Sequence, residues 1–344
     1  MYKDSILLNN VLYNYQDVLV KLNGSMPNWE RDIFIFLKEW FSTNEVIDIT
    51  TSGSTGKPKI ITREKKHLIE SAKMTGEFFS FSPKKTALLC LPAKYIAGKM
   101  MLVRAIEWNL SLDYIEPKLQ LDIPDKEYYF SAMTPQQIEA SIHQISNIKS
   151  IIIGGAPISP SLEKELITLP NNLFATYGMT ETVSHIALRK LTPTQNNIYI
   201  TLPNVSLSTN VNSCLIINAP NLLDIPITTT DIVELKSPTS FIWIGRNDFI
   251  INSGGVKIFP EKLESIISHL INSPYFLFGK PDDKWGQKVI LIIEGTPFNT
   301  SNLETALQAD LSAIELPKEI IFTSKFSRTK NGKLNRAATF NSII

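Results

Sequence analysis

The sequence has little of what marks several large classes of protein. Its 344 residues include only two cysteines, Cys90 and Cys214, and both lie in apolar, strand-like runs. We therefore expect two buried free thiols and neither a disulfide framework nor a cysteine-ligated metal site. No run of about 18 apolar residues occurs, so no membrane span is expected. The apolar run near the N-terminus is too short for a signal peptide.

Charge of one sign is also missing. The chain has 34 Lys and Arg against 33 Asp and Glu, a net charge of +1. This balance argues against a polyanion-binding surface, and no nucleic-acid partner is expected. The apolar fraction is that of an ordinary globular protein, and the length predicts about two domains. Together these features indicate a protein of the reducing cytoplasm.

A dense group of glycine, hydroxyl and lysine residues lies between two predicted strands, residues 46–50 and 60–62. Glycines let backbone N–H groups turn inward and hydroxyls add donors, as a phosphate-binding loop requires. A Walker loop needs a different glycine spacing and a hydroxyl residue after its lysine, whereas proline follows here. The alternative is a hairpin turn rich in small polar residues. The predicted phosphate-binding residues are Thr51, Ser52, Gly53, Ser54, Thr55, Gly56 and Lys57.

Beyond this loop, short apolar strands alternate with helical patterns. Such alternation predicts a mostly parallel sheet with helices on its faces. Ligands then bind outside the carboxyl ends of the strands, so the loops at Gly154 and Gly178 can face one site. The expected strands are residues 86–91, 110–115, 128–133, 151–153 and 173–177.

The pattern changes twice towards the C-terminus. From about residue 197 it consists of short strands and turns, which predicts a small β subdomain. From residue 248 it mixes helices and strands again. We therefore predict an α/β fold whose large domain, residues 1–247, has a mostly parallel sheet and a small β subdomain. An α+β domain, residues 248–344, follows.

Five stretches resemble, in the same order, the motifs of the adenylate-forming superfamily, which includes acyl-CoA synthetases, peptide-synthetase adenylation domains and luciferases. The resemblance covers nearly the whole chain. It implies ATP-dependent activation of a carboxylic acid as an acyl-adenylate, followed by transfer to a thiol, with residues 248–344 acting as a mobile lid. The stretches are residues 51–59, 177–182, 230–231, 245–248 with 253–255, and 331–333.

The resemblance implies roles for single residues. Thr180 would contact the α-phosphate, Glu181 would hold Mg²⁺, and Lys333 would bridge the α-phosphate and the acid during adenylation. Each also has an ordinary interpretation, such as an exposed loop carboxylate or a solvated tail lysine. ATP would otherwise be held by Gly154, Gly155, Ala156, Tyr177, Gly178, Met179, Asp231 and Arg246.

The lid would use a hinge at Asp248. Family members usually have a second acidic residue after the hinge, but Phe249 follows here. Gly254 and Gly255 would leave room for the pantetheine arm of coenzyme A once the lid has rotated. The family also carries considerably more residues before its phosphate loop. Part of an N-terminal subdomain would thus be absent, and retention of all five stretches favours a compact active lineage.

Two further stretches, residues 91–98 and 177–190, are similar to the short 2-succinylbenzoate:CoA ligases of menaquinone biosynthesis. Tyr95 would line the acyl pocket, or else be a core tyrosine. Arg104, in an otherwise apolar helix, either reaches solvent or faces the pocket and holds a second carboxylate. The alternatives are another aryl- or acyl-CoA ligase, an adenylating enzyme that loads a separate carrier protein, and a non-catalytic nucleotide-binding remnant.

Overall fold

The structure is a computed structural model that describes residues 3–50, 60–194, 197–328 and 334–343. The chain divides into two compact units. Within the described residues, the first unit takes in those up to 206 together with 218–227, and the second takes in 207–217 and those from 228 onward. Across the described ranges, no helix combines the length and the apolar composition that crossing a membrane requires.

The first unit contains a large sheet and a separate two-stranded hairpin formed by β3 and β4. Its strands are β1 (Ser5–Leu8), β2 (Val11–Asn14), β3 (Val46–Thr50), β4 (Ile60–Glu64), β5 (Thr86–Leu89), β6 (Ser111–Tyr114), β7 (Tyr128–Met133), β8 (Ile148–Ile153), β9 (Asn172–Gly178), β10 (His185–Lys190) and β11 (Ile198–Thr201).

The sheet of this unit runs in the order β11-β10-β9-β8-β7-β5-β6-β1-β2. The strands from β9 to β1 in this order are parallel, while β2 at one edge and β10 and β11 at the other are antiparallel. The chain leaves β5 for β6 on one side and then returns to β7 on the other. This reversal makes the carboxyl ends of β5 and β7 the topological switch point, where ligands bind in open α/β sheets.

Helices connect the parallel strands. α4 is buried along most of its length and is capped by Asn109, whose φ of 49° is the left-handed conformation that asparagine tolerates. α5 begins with a capping box in which Thr134 and Gln137 satisfy each other's backbone N–H groups. The helices of the unit are α1 (Tyr15–Leu22), α2 (Asn28–Phe41), α3 (Lys65–Phe78), α4 (Ile96–Trp108), α5 (Pro135–Ser141) and α6 (Pro160–Leu166).

The core of the first unit lies between the sheet and these helices. One cluster joins buried side chains of β5, β7, β8 and β9 to α5 and α6, with Leu88, Ile151 and Ile138 fully buried. The strands are apolar on both faces because parallel sheets are covered on both sides. Cys90 belongs to this cluster, and both cysteines are buried and free, as the sequence predicted.

The second unit contains two groups of strands. β12 to β15 pair in sequence order, and the later strands form a smaller sheet in the order β17-β16-β19-β18, with β20 beside β19. Helices α7 (Pro260–Ile266), α8 (Ser301–Asp310) and α9 (Arg336–Asn341) belong to this unit. The strands are β12 (Ser206–Thr209), β13 (Cys214–Asn218), β14 (Ile227–Ser237), β15 (Ser240–Arg246), β16 (Ile251–Ser253), β17 (Val256–Ile258), β18 (Tyr275–Asp282), β19 (Gly286–Glu294) and β20 (Glu319–Thr323).

The α/β fold class predicted from the sequence is confirmed by the parallel-rich large sheet and the smaller sheets. The division predicted at residues 247 and 248 stays a prediction. Two elements near the start of the chain, β1 and β2, were not predicted. They form a short hairpin at the sheet edge, where exposed Val11 and Leu12 hide the usual alternation of buried and exposed residues.

Gly98 allows a close approach that positions the loop after β5. A Cβ atom at this position would lie 2.3 Å from the Pro92 carbonyl oxygen and 2.8 Å from the Ala93 nitrogen. Alanine normally favours a helix over glycine by about 1 kcal/mol. Here the clash is with backbone and should dominate, because overpacking typically costs about 1–3 kcal/mol. We expect Gly98→Ala to lower the free energy of unfolding, measured by urea denaturation.

The matched control is Gly24→Ala, where the added Cβ would meet only the Lys21 carbonyl oxygen at 3.3 Å. Its free energy of unfolding should change by less than about 0.5 kcal/mol, as is usual for surface substitutions. An equal or smaller effect at Gly98 would show that the loop is not packed as described.

Candidate active site

Part of the predicted site lies outside the described residues. The predicted phosphate loop, residues 51–59, and the predicted adenylation lysine, Lys333, both fall in the gaps. The strands that flank the loop are described, and β3 and β4 pair from Val46 with Glu64 to Thr50 with Ile60. Both strands predicted beside the loop are thus confirmed, and they pair antiparallel with each other.

The remaining predicted residues of the first unit gather at the carboxyl edge of its parallel sheet. Tyr95 follows β5, Gly154 follows β8, and Gly178 ends β9. Parallel pairing of β5 with β7, β7 with β8, and β8 with β9 brings these strand ends to one side. The structure therefore places the loops at Gly154 and Gly178 next to each other, as the sequence predicted.

The loop after β8 is built on glycine. A Cβ at Gly154 would lie 2.4 Å from the Thr176 hydroxyl oxygen, which itself donates to the Ile153 carbonyl at 3.1 Å. Gly155 has a φ of 86°, which side-chain-bearing residues rarely adopt. With Ala156, these residues form a stretch of nearly bare backbone, a surface on which a flat aromatic base can lie.

The loop after β9 is held by the Thr182 hydroxyl. This hydroxyl accepts from the Met179 N–H at 3.0 Å and lies 2.8 Å from the Ser184 carbonyl, to which it can donate. The next residue, buried Val183, has a φ of 68°. A β-branched residue in this region is strained by about 1–3 kcal/mol, and such strain concentrates at functional sites.

Thr180 and Glu181 lie in this strained loop. Thr180 is half-buried, and Glu181 is exposed and receives an Arg63 guanidinium N–H on its carbonyl oxygen at 3.4 Å. Mg²⁺ is usually held by one or two carboxylates together with substrate phosphates, and not by a protein cage. The described residues contain no group of three or more His, Cys, Asp or Glu side chains that could hold a metal ion. Glu181 therefore fits a cation that is bound mainly by phosphate oxygens.

The two predicted acyl-pocket residues, Tyr95 and Arg104, differ in how far they are exposed. Tyr95 precedes α4 and is 38% exposed, so its core-tyrosine interpretation does not apply. Arg104 is only 2% exposed, and the interpretation in which it reaches solvent is therefore wrong. Burial lowers the pKa of Arg104 to about 9.

Arg104 belongs to a series of buried polar side chains that contact one another. Its guanidinium donates to the Ser184 hydroxyl at 3.1 Å, which lies 3.3 Å from Nδ1 of His185, and Nε2 of His185 lies 3.4 Å from the Thr75 hydroxyl. Nε of Arg104 is buried without a hydrogen-bond partner. Among the described residues, no carboxylate pairs with this guanidinium, so it is a buried cation able to receive an anion.

Sequence reasoning missed Ser184, His185 and Thr75. The pKa of the His185 ring lies well below 6.5, first because the ring is buried and second because it faces the Arg104 cation. It is therefore a neutral polar group beside Arg104. Thr75 lies on α3, Ser184 ends the loop before β10 and His185 begins β10, and only the fold brings them to α4.

Asp231 and Arg246 lie in the second unit. They face each other across β14 and β15. Oδ1 of Asp231 accepts from the Trp243 indole at 3.2 Å, and Arg246 donates to the Thr230 hydroxyl at 2.8 Å. The structure thus brings together a carboxylate and a guanidinium, groups that can bind hydroxyl and phosphate oxygens respectively.

The predicted hinge residue, Asp248, lies in a short 3₁₀ turn after β15. Its carboxylate pairs with Arg246 at 2.7 Å, with both side chains largely exposed. The Phe249 ring lies near two guanidinium groups, with centroid distances of 5.7 Å to Arg246 and 4.9 Å to Arg336. Phe249 therefore replaces the usual acidic residue with a cation–π contact.

Gly254 and Gly255 form the tight turn between β16 and β17. Their φ values of 57° and 82° are those of the two central residues of a hairpin turn that favours glycine. A Cβ at Gly254 would lie 2.7 Å from the Trp285 ring, whereas one at Gly255 would meet no atom within 4 Å among the described residues. Gly255 therefore has open space beside it.

Comparison with known proteins identifies the relatives of this chain. Residues 44–211 match the AMP-binding enzyme family. A Dyadobacter fermentans protein of known structure, described as an acyl-CoA synthetase (AMP-forming)/AMP-acid ligase II-like protein, is 34% identical. The match covers 94% of this chain and 97% of that protein, with a TM-score of 0.63.

Two more distant relatives are similar over most of the chain. The 2-succinylbenzoate–CoA ligase of Listeria monocytogenes is 24% identical over 329 residues, covering 87% of this chain and 70% of that protein. The o-succinylbenzoate CoA synthetase of Bacillus subtilis has been solved with its acyl-adenylate intermediate and is 20% identical, with coverage of 84% and 68% and a TM-score of 0.75. Its complex with ATP and a magnesium ion is 19% identical, with coverage of 85% and 69% and a TM-score of 0.74. At this identity the likeness to the Bacillus structures concerns the fold.

The buried histidine predicts how stability depends on pH. Because the folded-state pKa of His185 lies below 6.5, its contribution to stability is present above pH 6.5 and is lost as the pH falls. The loss should approach about 1.4 kcal/mol for each further pH unit. We expect His185→Gln to remove this part of the acid sensitivity, measured as the change in the free energy of unfolding between pH 7.5 and 5.5.

The exposed His143 supplies the matched control. His143→Gln should keep the pH dependence of the unmodified protein. If His185→Gln loses stability on acidification as steeply as that protein does, His185 is not held neutral in the folded state.

Proposed function

The chain belongs to the AMP-binding enzyme family and is an AMP-forming acid–CoA ligase, and from that premise we propose that its acid is 2-succinylbenzoate. ATP would activate the succinyl carboxylate, and coenzyme A would receive the acyl group. The observation that carries the choice of acid is Arg104, a guanidinium buried without a carboxylate partner among the described residues. The Listeria and Bacillus relatives, named for this acid, support it.

The argument from Arg104 is one of charge. 2-Succinylbenzoate has two carboxylates; the succinyl one reacts and the aromatic one must be held without reacting. Burying a carboxylate unpaired is costly, whereas a guanidinium can bind both of its oxygens. Arg104 contacts Ser184 in the loop between β9 and β10. The same loop contains Thr180 and Glu181. One short segment would thus serve both the acid and the α-phosphate.

The reaction would proceed in two steps. In the first, a carboxylate oxygen attacks the α-phosphorus of ATP, the bond from that phosphorus to the bridging oxygen breaks, and pyrophosphate leaves. In the second, the sulfur of coenzyme A attacks the acyl carbon, AMP leaves with the acyl oxygen, and the thiol proton passes to solvent. Both steps need stabilisation of negative charge on phosphate oxygens.

We assign that stabilisation to four elements. The hydroxyl of Thr180 would donate to the α-phosphate, and the loop of residues 51–59 would bind the β- and γ-phosphates. Lys333 would neutralise charge between the acid and the α-phosphate. Mg²⁺, held by Glu181 and phosphate oxygens, would supply further positive charge.

The rest of the nucleotide would be held by the other residues that the resemblance singled out. Gly154, Gly155 and Ala156 would provide the backbone surface against adenine. Tyr177, Gly178 and Met179 would lie along the other side. The carboxylate of Asp231 would accept from the ribose hydroxyls, and Arg246 would donate to ribose or phosphate.

The two steps would use two positions of a lid formed by residues 248–344, hinged at Asp248. Lys333 would act in adenylation, and Gly254 and Gly255 would approach the acyl-adenylate in the second step, where bare glycine leaves room for the pantetheine arm. We place the reaction in the cytoplasm, because Cys90 and Cys214 are unpaired thiols.

The choice of acid predicts a selective defect. Arg104→Leu should raise the KM for 2-succinylbenzoate by on the order of 100-fold, because a hydrogen bond to a charged group contributes about 1.5–3 kcal/mol. The KM for ATP should stay nearly unchanged. Both constants are measured by AMP formation at saturating coenzyme A.

Two controls accompany this variant. The monoacid 4-phenyl-4-oxobutanoate lacks the aromatic carboxylate, so the substitution should cost it little. Removing an unpaired buried cation should leave the free energy of unfolding unchanged or raise it, which urea denaturation checks. Equal losses for the two acids, or none for either, would show that Arg104 does not bind the second carboxylate.

The role of Lys333 predicts a defect in one step only. Lys333→Ala should slow adenylation, followed by pyrophosphate exchange, by on the order of 10²–10³-fold, the usual cost of losing one preorganised donor. Thioester formation from supplied acyl-adenylate should be much less affected. Lys330→Ala, in the same basic segment, is the matched control. Equal losses in both steps would contradict the assignment.

A further inference from the structure

We propose that Arg189 is a positioning residue for ATP, because it fixes both walls of the adenine site through the contacts of one side chain. The inference rests on the proposed function, in which Gly154–Ala156 and Tyr177 flank the base. Arg189 itself lies on β10 and would not touch the nucleotide. It would act through two neighbours, Glu163 and Tyr199.

The first contact ties Arg189 to the helix behind the glycine wall. Its guanidinium forms a two-pronged ion pair with Glu163, at 2.5 Å to Oε1 and 2.8 Å to Oε2. Glu163 lies in the first turn of α6, the helix that follows the Gly154–Ala156 loop. A two-pronged pair fixes the orientation of both groups, so this contact sets the position of α6 relative to β10.

The second contact ties Arg189 to the tyrosine wall. The guanidinium carbon lies 5.8 Å from the ring centroid of Tyr199, and the Tyr199 ring meets the Tyr177 ring edge to face at a centroid distance of 6.0 Å. Cation–aromatic and aromatic–aromatic pairs have preferred geometries, so they transmit orientation as well as attraction. The cation on β10 thus restricts the Tyr199 ring on β11, and that ring restricts Tyr177 at the end of β9.

Burial makes these contacts rigid. The Arg189 side chain is only 10% exposed and that of Glu163 21% exposed. The pKa of Arg189 is raised, since its contacts with Glu163 and Tyr199 outweigh the effect of burial. A buried ion pair is weak evidence for stability, because desolvation offsets most of the attraction. Its position between the two walls of one site points instead to a role in geometry.

The test measures ATP binding directly, without acid or coenzyme A. Arg189→Met keeps an apolar stem but removes the cation. We expect it to raise the Kd for ATP roughly tenfold, equivalent to about 1.4 kcal/mol. The KM for 2-succinylbenzoate should change less than twofold. Tyr199→Leu should weaken ATP binding similarly, and the double variant should be no weaker than either single variant, because the two residues act in series.

A matched control exists in the same unit. Lys126 pairs with Asp113 at 2.8 Å and lies 5.6 Å from the ring of Tyr128, so it has the same kinds of partner. It precedes the amino end of β7, away from the carboxyl edge. Lys126→Met should therefore leave the Kd for ATP unchanged. Urea denaturation of each variant gives the folded fraction, to which the measured affinities are referred.

The outcomes separate this inference from the proposed function. If the unmodified protein binds ATP and Arg189→Met binds it equally well, the positioning role is wrong while the ligase proposal stands. If Arg189→Met and Tyr199→Leu have additive effects, the two residues do not act in series and the inference fails. If the unmodified protein does not bind ATP, the proposed function fails first.

Discussion

The parallel pairing of β5 with β6 on one side and β7 on the other is the constraint on which the site depends. It makes the carboxyl ends of neighbouring strands meet at one edge, where the chain reverses direction across the sheet. The loops that follow these strand ends differ in composition and conformation. The loop after β8 is bare glycine backbone, the loop after β9 is polar and strained at Val183, and the loop after β5 packs on Gly98. Below them, a cluster of buried apolar side chains packs the strands against α5 and α6.

Arg104 is the costly element of this arrangement. Taking a guanidinium out of water without a carboxylate partner works against folding, as its lowered pKa shows. Ser184 and His185 supply only neutral polar contacts, and the neighbouring cation helps to keep the histidine neutral. A protein has little to gain from such a group unless a ligand brings the missing negative charge. Under the proposed function, that ligand is a dicarboxylate whose second carboxylate binds Arg104.

The sequence predicted the elements with strong patterns. The strand at residues 128–133 has the predicted bounds, because it is an apolar run ended by turn residues. The helical pattern after that strand did not show that α5 gives way to a 3₁₀ helix at Ile142. Regular spacing alone cannot distinguish the last turns of an α-helix from a tighter helix.

The site was predictable only in part. Motif resemblance singled out Gly154, Gly178 and Arg246, because each lies in a short glycine-rich or charged segment that is recognisable in the sequence alone. The polar chain of Thr75, Ser184 and His185 has no local signal, because its members meet only through tertiary packing. The same holds for Glu163 and Tyr199, which look like ordinary surface residues until β9, β10 and α6 are placed side by side. The sequence shows that Phe249 departs from the family pattern, but its contacts with Arg246 and Arg336 are visible only in the structure.

The most direct test of the central claim is the product formed from 2-succinylbenzoate, ATP and coenzyme A, identified by mass spectrometry together with the released AMP. The account predicts one AMP for each thioester, with the thioester on the succinyl carboxyl and the aromatic carboxylate left free. Formation of AMP with other acids but not with 2-succinylbenzoate would contradict the assigned substrate. Absence of AMP and of thioester with every acid and thiol acceptor would contradict the assignment of the chain as a working ligase.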